Sequence, residues 1–231
     1  MNSLNWAFKH FWPEFDLSSP VGLTGPSVRF ATLGENDGMA KEQPFLTDVK
    51  TLRAQARTNI DQGPVTSNYE GDVNRTIDIL QTVLATEIVC VLRYTMNAVA
   101  ATGVSSASVR QEFEQHAKEE QDHMRAVAER INQLGGTPNF NPEGLATRSA
   151  SQYVEGSNLI DMIKENLVAE RIACDHYREL IRFFAEKDPT TRVMMEGILT
   201  NEEEHANDML DLLAAQQGSP KPLKADTGKA S

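Results

Sequence analysis

Cysteine is scarce: Cys90 and Cys174 are the only two in 231 residues. That is too few for a disulfide framework, and with no CxxC pair the cysteine motifs for zinc and iron–sulfur clusters are absent. Both thiols read as reduced. Long apolar runs are missing as well, and nothing approaches the ~18–20 residues that a membrane-spanning helix needs. Near the start, Trp6, Phe8, Phe11, Trp12 and Phe15 are interrupted by Lys9, His10, Pro13, Glu14 and Asp16, so no secretory pattern forms. A cytoplasmic location with no membrane attachment is therefore expected. Positive charge is in deficit, with a formal net charge of −11. Binding nucleic acid through its phosphates takes clustered Lys and Arg, so nucleic acid is not an expected partner. Lys221, Lys224 and Lys229 in the tail are a scattered exception.

Residues 1–44 are rich in Pro, Gly and Ser, without sustained periodicity, and read as an irregular, disordered extension. A more regular stretch follows Met39, which would suit a start downstream of Met1. Residues 45–71 divide into a short amphipathic helix at 45–57, capped at Thr47, and a linker at 61–71. The character changes after Gly71. Segments 72–101, 107–134, 158–186 and 189–216 are long, favour helix in composition and lack proline beyond the first turn. Each makes a helix of roughly 40 Å at about 1.5 Å per residue. Gly135-Gly136 ends the second, and Asp188-Pro189 starts the fourth with a cap followed by proline. Short connections make the first and second helices one antiparallel hairpin and the third and fourth another. Residues 135–157 are long enough to cross from one end of the bundle to the other. The expected fold is all-α: a four-helix bundle over 72–216, two antiparallel hairpins joined by a long crossover, with an N-terminal extension. The tail at 217–231 is polar and unpatterned and reads as disordered, with no fifth helix.

Each long helix has an apolar seam with polar ligand types at its centre. Spacing of three and four residues gives Val73, Ile77, Leu80, Leu84, Glu87, Val91 and Tyr94 in the first helix, and Ile163, Leu167, Glu170, Cys174, Tyr177, Ile181 and Phe184 in the third. The second runs Phe113, His116, Glu120, His123, Val127, and the fourth Met195, Ile198, Glu202, His205, Met209, Leu212. The halves repeat: Glu87 and Tyr94 recur 83 residues later as Glu170 and Tyr177, and Glu120 and His123 recur 82 residues later as Glu202 and His205. One Glu-x-x-His is common in an acidic helical chain. Two in register, with two further seam glutamates, point to a duplicated metal site. Four ionised carboxylates facing one another in an apolar core repel and are poorly solvated. Two divalent ions neutralise them, and residues three apart share a helix face, so carboxylate and imidazole reach the same ions. Mixed oxygen and nitrogen donors suit iron or manganese better than calcium. His116, with Ile198 at the matching place, reads as a supporting residue; Cys174 reads as packing, Tyr177 equally as packing or as a site residue, and Glu119, Glu203 and Glu204 as a solvated face.

These residues resemble the bacterioferritin-type branch of the ferritin superfamily over roughly 72–216, including the spacing of about 33 residues from seam glutamate to Glu-x-x-His in both halves. The resemblance implies that Glu87 and His123 serve one iron, that Glu170 and His205 serve the other, and that Glu120 and Glu202 bridge them. Tyr94 matches the family's tyrosine beside the di-iron site. Bacterioferritins place a haem-ligating methionine directly after the first of these bridging glutamates; Gln121 stands there, so no haem is expected. The missing fifth helix is more like the smaller Dps-type cages, which implies a homo-oligomer of twelve subunits in preference to twenty-four. The implied activity is that of a ferroxidase, in which Fe(II) is oxidised by O₂ or H₂O₂ for iron storage, detoxification and protection from oxidative stress. A manganese or iron peroxidase or catalase related to rubrerythrin is the alternative enzyme, although no rubredoxin-like cysteine pairs are present. A DNA-protecting structural protein of the Dps type is the third reading.

Overall fold

The computed structural model describes residues 47–103 and 106–218, and they contain helices and turns but no strand. The readings for residues 1–44 and for the tail beyond Gly218 lie outside the described residues. In chain order the helices are α1 (Val49–Gln55), α2 (Val73–Ala100), α3 (Ala107–Gln133), α4 (Leu145–Arg148), α5 (Leu159–Phe184) and α6 (Pro189–Gln217), with one 3₁₀ turn at Ile60–Gln62. Three of the four long helices start on a side-chain cap that takes one of the N–H groups left free in the first turn. Asp72 accepts from the Arg75 amide, Asn158 from Asp161 and Asp188 from Thr191. α3 has no such cap; the Ser106 hydroxyl donates instead to the Gly103 carbonyl at 2.7 Å. At the end of α3, Gly135 takes a positive φ of 85°, and the Gly136 amide returns to the Ile131 carbonyl. That left-handed turn favours glycine.

Two details differ from the sequence reading. Asp48, not Thr47, caps α1, because its carboxylate accepts from the amides of both Lys50 and Thr51. The same helix buries none of its residues, so its apolar side chains have no core to join. The crossover between α3 and α5 also carries the short helix α4.

α2 packs on α3 and α5 on α6, and α3 also meets α6, which closes the bundle. The crossover is pinned along α2 by polar side chains at successive levels. Gln81 donates to the Thr137 carbonyl and accepts from the Asn139 amide, Thr86 accepts from the Ala150 amide, and Arg93 reaches Ser151 and the Gln152 carbonyl. The apolar core is in two parts. One is built around Leu80, Leu84, Ile131, Leu180, Phe184 and Met195, the other around Ala98, Val109, Phe113, Ile163 and Met209. A layer of buried charge lies between them.

Candidate metal centre

Glu87, Glu120, His123, Glu170, Glu202 and His205 make up that layer, and none is more than 7% exposed. Each of the four long helices supplies one glutamate; α3 and α6 each add a histidine one turn on. The six side chains form two overlapping groups: Glu87, Glu120, His123 and Glu202 in one, and Glu120, Glu170, Glu202 and His205 in the other. In each group, ligand-capable atoms lie within 4.8 Å of one another, and Glu120 and Glu202 belong to both. His123 Nδ1 is 3.5 Å from Glu87, 3.3 Å from Glu120 and 3.2 Å from Glu202. On the other side, His205 Nδ1 faces Glu120 at 3.6 Å, Glu202 at 3.8 Å and Glu170 at 4.0 Å. The sequence repeat is thus a repeat in space: two histidines address a shared pair of carboxylates from opposite sides.

Hydrogen bonding shows which atoms are free to bind. Tyr177 donates to one oxygen of Glu87, and Tyr94 to one oxygen of Glu170. The second oxygen of each glutamate is buried without a partner, as are Glu120 Oε1, both oxygens of Glu202 and His205 Nδ1. Buried carboxylate oxygens are rarely left unpaired, because the desolvation is uncompensated. Two divalent cations held by these atoms would satisfy them together, and the mixed carboxylate–imidazole donor set suits iron or manganese. The residues fit such a pair.

Protons carry part of that task in the metal-free protein. Burial and the neighbouring Glu120 push the Glu87 carboxyl up to about 7. Burial, with Glu120 and Glu170, holds Glu202 well above the carboxylate range. Burial acts against charge on Glu120 too, but the imidazoles of His123 and His205 beside it overcome that and keep this carboxyl low. Both histidines rise against the effect of burial: His123 through Glu120, Glu202 and Glu87, and His205, chiefly through Glu120, to about 9. The metal-free centre is a cluster of imidazolium and carboxylate groups with shared protons, and cations must displace those protons to bind.

Tyr94 reaches the centre across the bundle, at Glu170 rather than at the Glu87 of its own helix. Tyr177, which the sequence left open between packing and the site, makes the mirror contact. Three further residues break the symmetry, all on the His205 side. Arg93, 1% exposed, donates to Asn166 at 2.9 Å and lies 3.8 Å from Glu170; the matching residue in the other half is His176. Glu119 Oε2 is 2.8 Å from His205 Nε2, which orients the ring so that Nδ1 faces inward. The His116 ring stacks on His205 with centroids 4.0 Å apart. Burial, then the His205 cation, lowers the His116 imidazole to about 3. A basic residue directly before Tyr94 was the one available signal for Arg93; Glu119, next to Glu120, looked like surface charge. Cys90 and Cys174 are buried free thiols.

Comparison with known proteins agrees with this fold. Residues 77–217 match the family described as Ferritin-like domain. The DNA protection during starvation protein of Pyrococcus furiosus is 30% identical over 137 residues, which is 58% of this chain and 74% of that protein. Among solved structures, a dodecameric thioferritin, the bacterioferritin-related protein of Bacteroides fragilis, is 32% identical with a TM-score of 0.62, over 64% of this chain and 90% of that one. A ferritin-like di-iron carboxylate protein of Bacillus anthracis is 25% identical with a TM-score of 0.54, over 61% and 96%.

Proposed function

Given that the chain belongs to the family of ferritin-like domains, we propose that it is a ferroxidase taking two Fe(II) ions per chain as substrate. Glu87 with His123 receives one ion, Glu170 with His205 the other, and Glu120 and Glu202 touch both. The observation that carries the reading is the sharing of Glu120 and Glu202 between the two groups, with their oxygens turned inward. Two Fe(II) becoming two Fe(III) release two electrons. With two protons these reduce O₂ to H₂O₂, or H₂O₂ to two waters. The carboxylates stabilise the higher charge of Fe(III) in a dry, preorganised site. Tyr94 and Tyr177 fix the outer oxygens of Glu170 and Glu87, and Glu119 fixes His205. No haem is involved in this reading.

The Fe(III) absorbance that follows mixing of Fe(II) with O₂ or H₂O₂ in a stopped flow tests the assignment. Glu120→Ala and His205→Ala abolish the fast phase under it, and wild-type oxidation in either variant contradicts it. Metal content after purification separates iron from the manganese alternative.

Assembly into a homo-oligomer of twelve chains belongs to the same reading. The Bacteroides protein is dodecameric, and Leu92, Val99, Tyr153, Val168 and Ile172 leave apolar surface exposed outside the bundle. A closed shell would store the oxidised iron and limit oxidative damage in the cytoplasm. The name of the Pyrococcus relative favours a protective role in starvation, although a net charge of −11 opposes direct contact with DNA. A salt-dependent gel shift distinguishes contact with DNA from protection by removal of iron.

A further inference from the structure

Arg93 is a permanent positive charge inside the bundle, 1% exposed, because a guanidinium keeps its proton in proteins. Its donors meet neutral groups: Asn166 at 2.9 Å, the Ser151 hydroxyl at 3.1 Å, the Gln152 carbonyl at 3.3 Å and the Cys90 thiol at 3.8 Å. Burial holds that thiol well above its ordinary value, so it stays protonated. Tying the crossover to α2 in this way needs donors but no charge. The one carboxylate within 4.0 Å, among the described residues, is Glu170, whose Oε1 lies 3.8 Å away and also accepts from Tyr94. Buried charges are ordinarily hydrogen-bonded to a counter-ion. This one has none of its own, and its charge acts on the metal centre.

The arrangement is one-sided. At the positions that match in the repeat, His176 stands for Arg93 and Val83 for Asn166. Burial keeps the His176 imidazole below its ordinary value, which makes it neutral at neutral pH. Among the described residues, the ion pair of Glu87 is with His123 alone. Two halves with the same ligand types therefore differ by one buried cation. The opposing charge is Glu119, 2.8 Å from His205 Nε2. Its side chain is 32% exposed, so water screens it, whereas Arg93 is closed off from solvent. The guanidinium is the stronger of the two. A cation beside a carboxylate lowers its affinity for any other cation, proton or metal, by about tenfold or more.

We propose that Arg93 is a positioning residue that makes the two halves of the centre unequal: the Glu87–His123 half fills first, and the Glu170–His205 half holds the exchangeable ion. The inference rests on the reading of the centre as a two-ion site. Four carboxylates balance two divalent ions, and Arg93 leaves the loaded centre one positive charge in excess on the Glu170 side. Oxidation of the ions to Fe(III) increases that repulsion, so Arg93 favours departure of the product from its own side.

Mn(II) tests the order of filling without oxidation of the ion. Crystals of the full chain, grown with one equivalent per chain and read by anomalous diffraction at the manganese edge, should place most of the metal at Glu87–His123. After loading with two equivalents, a brief soak in chelator should empty Glu170–His205 first. In solution, calorimetric titration of the wild type should give two steps about tenfold or more apart. Arg93→Gln should bring them together by tightening the weaker step, and Arg93→Lys, which keeps the charge, should leave them apart. Loss of a mere structural anchor would act the other way and weaken binding. Equal peaks or the reverse order in wild-type crystals overturns the inference, and that result does not depend on whether Arg93→Gln folds. Steps still tenfold apart in a folded Arg93→Gln also overturn it. No manganese at either half refutes the two-ion reading and the inference with it, whereas two equal peaks refute the inference alone.

Discussion

Glu87 and Glu170 each have one oxygen held by a tyrosine from the opposite half and one turned to the centre of the bundle. In the proposed centre this division of labour makes each carboxylate a directed ligand rather than a buried charge. Tyr177→Phe and Tyr94→Phe are therefore expected to act alike: each frees the outer oxygen and weakens divalent-ion binding about tenfold, in line with the usual cost of losing a ligand's supporting hydrogen bond. Calorimetric titration with Mn(II) checks both. A loss confined to Tyr94→Phe would show that only one half of the repeat is organised in this way. The six inward residues were legible from spacing alone, because helical periodicity puts them on the buried seams. The tyrosine contacts were not, since periodicity says which face a residue occupies and nothing of what lies across the bundle. Glu119 and Arg93 were obscured for a related reason: their partners, His205 and Glu170, are on other helices, 86 and 77 positions away in the sequence.

At the scale of the element, α6 depends on a junction built on Asp188. Its carboxylate caps the helix at the Thr191 amide at 3.0 Å, accepts from Arg130 of α3 at 2.8 Å and from Tyr69 of the segment before α2 at 2.9 Å. Arg130 and Asp188 are both buried. Removing one partner strands the other, so Asp188→Ala should lower stability to urea unfolding by about 3–5 kcal/mol. Asp48→Ala, at the exposed cap of α1, should cost about 1 kcal/mol or less, and only locally. Equal effects from the two caps would contradict this distinction. The ends of the four long helices were readable to within two residues, because Asp-Pro and Gly-Gly act locally. The cap of α1 was misplaced by one residue: Thr47 and Asp48 are adjacent candidates, and the charged one takes two amides. α4 lacks a side-chain cap hydrogen bond and buries nothing, so no signal marked it.

Over the whole molecule, the bundle has two apolar cores and a charged layer between them, and that layer makes stability depend on pH. His205 rises from 6.5 to about 9 on folding, so its contribution is complete below 6.5 and lost as pH rises through 9. Glu87 rises from 4.5 to about 7, and a raised carboxyl has the same sign: folding favours its protonated form, and that advantage is lost as pH passes 7. The melting temperature of the metal-free protein should thus fall between pH 6.5 and 9. The metal-loaded protein should not follow it, because fewer protons compete for the ligands as pH rises. Parallel decline of both forms would mean that the metal does not occupy these groups.

An anaerobic Fe(II) titration followed by calorimetry, in wild type and two variants, tests the shared-carboxylate centre most directly. Two tight equivalents per chain are expected in the wild type. Glu87→Ala should retain one of them, because Glu87 belongs to one group only; Glu120→Ala should lose both, because it belongs to each. A wild type with no tight Fe(II), or a Glu120→Ala variant that keeps an intact tight site, would contradict the shared-carboxylate centre.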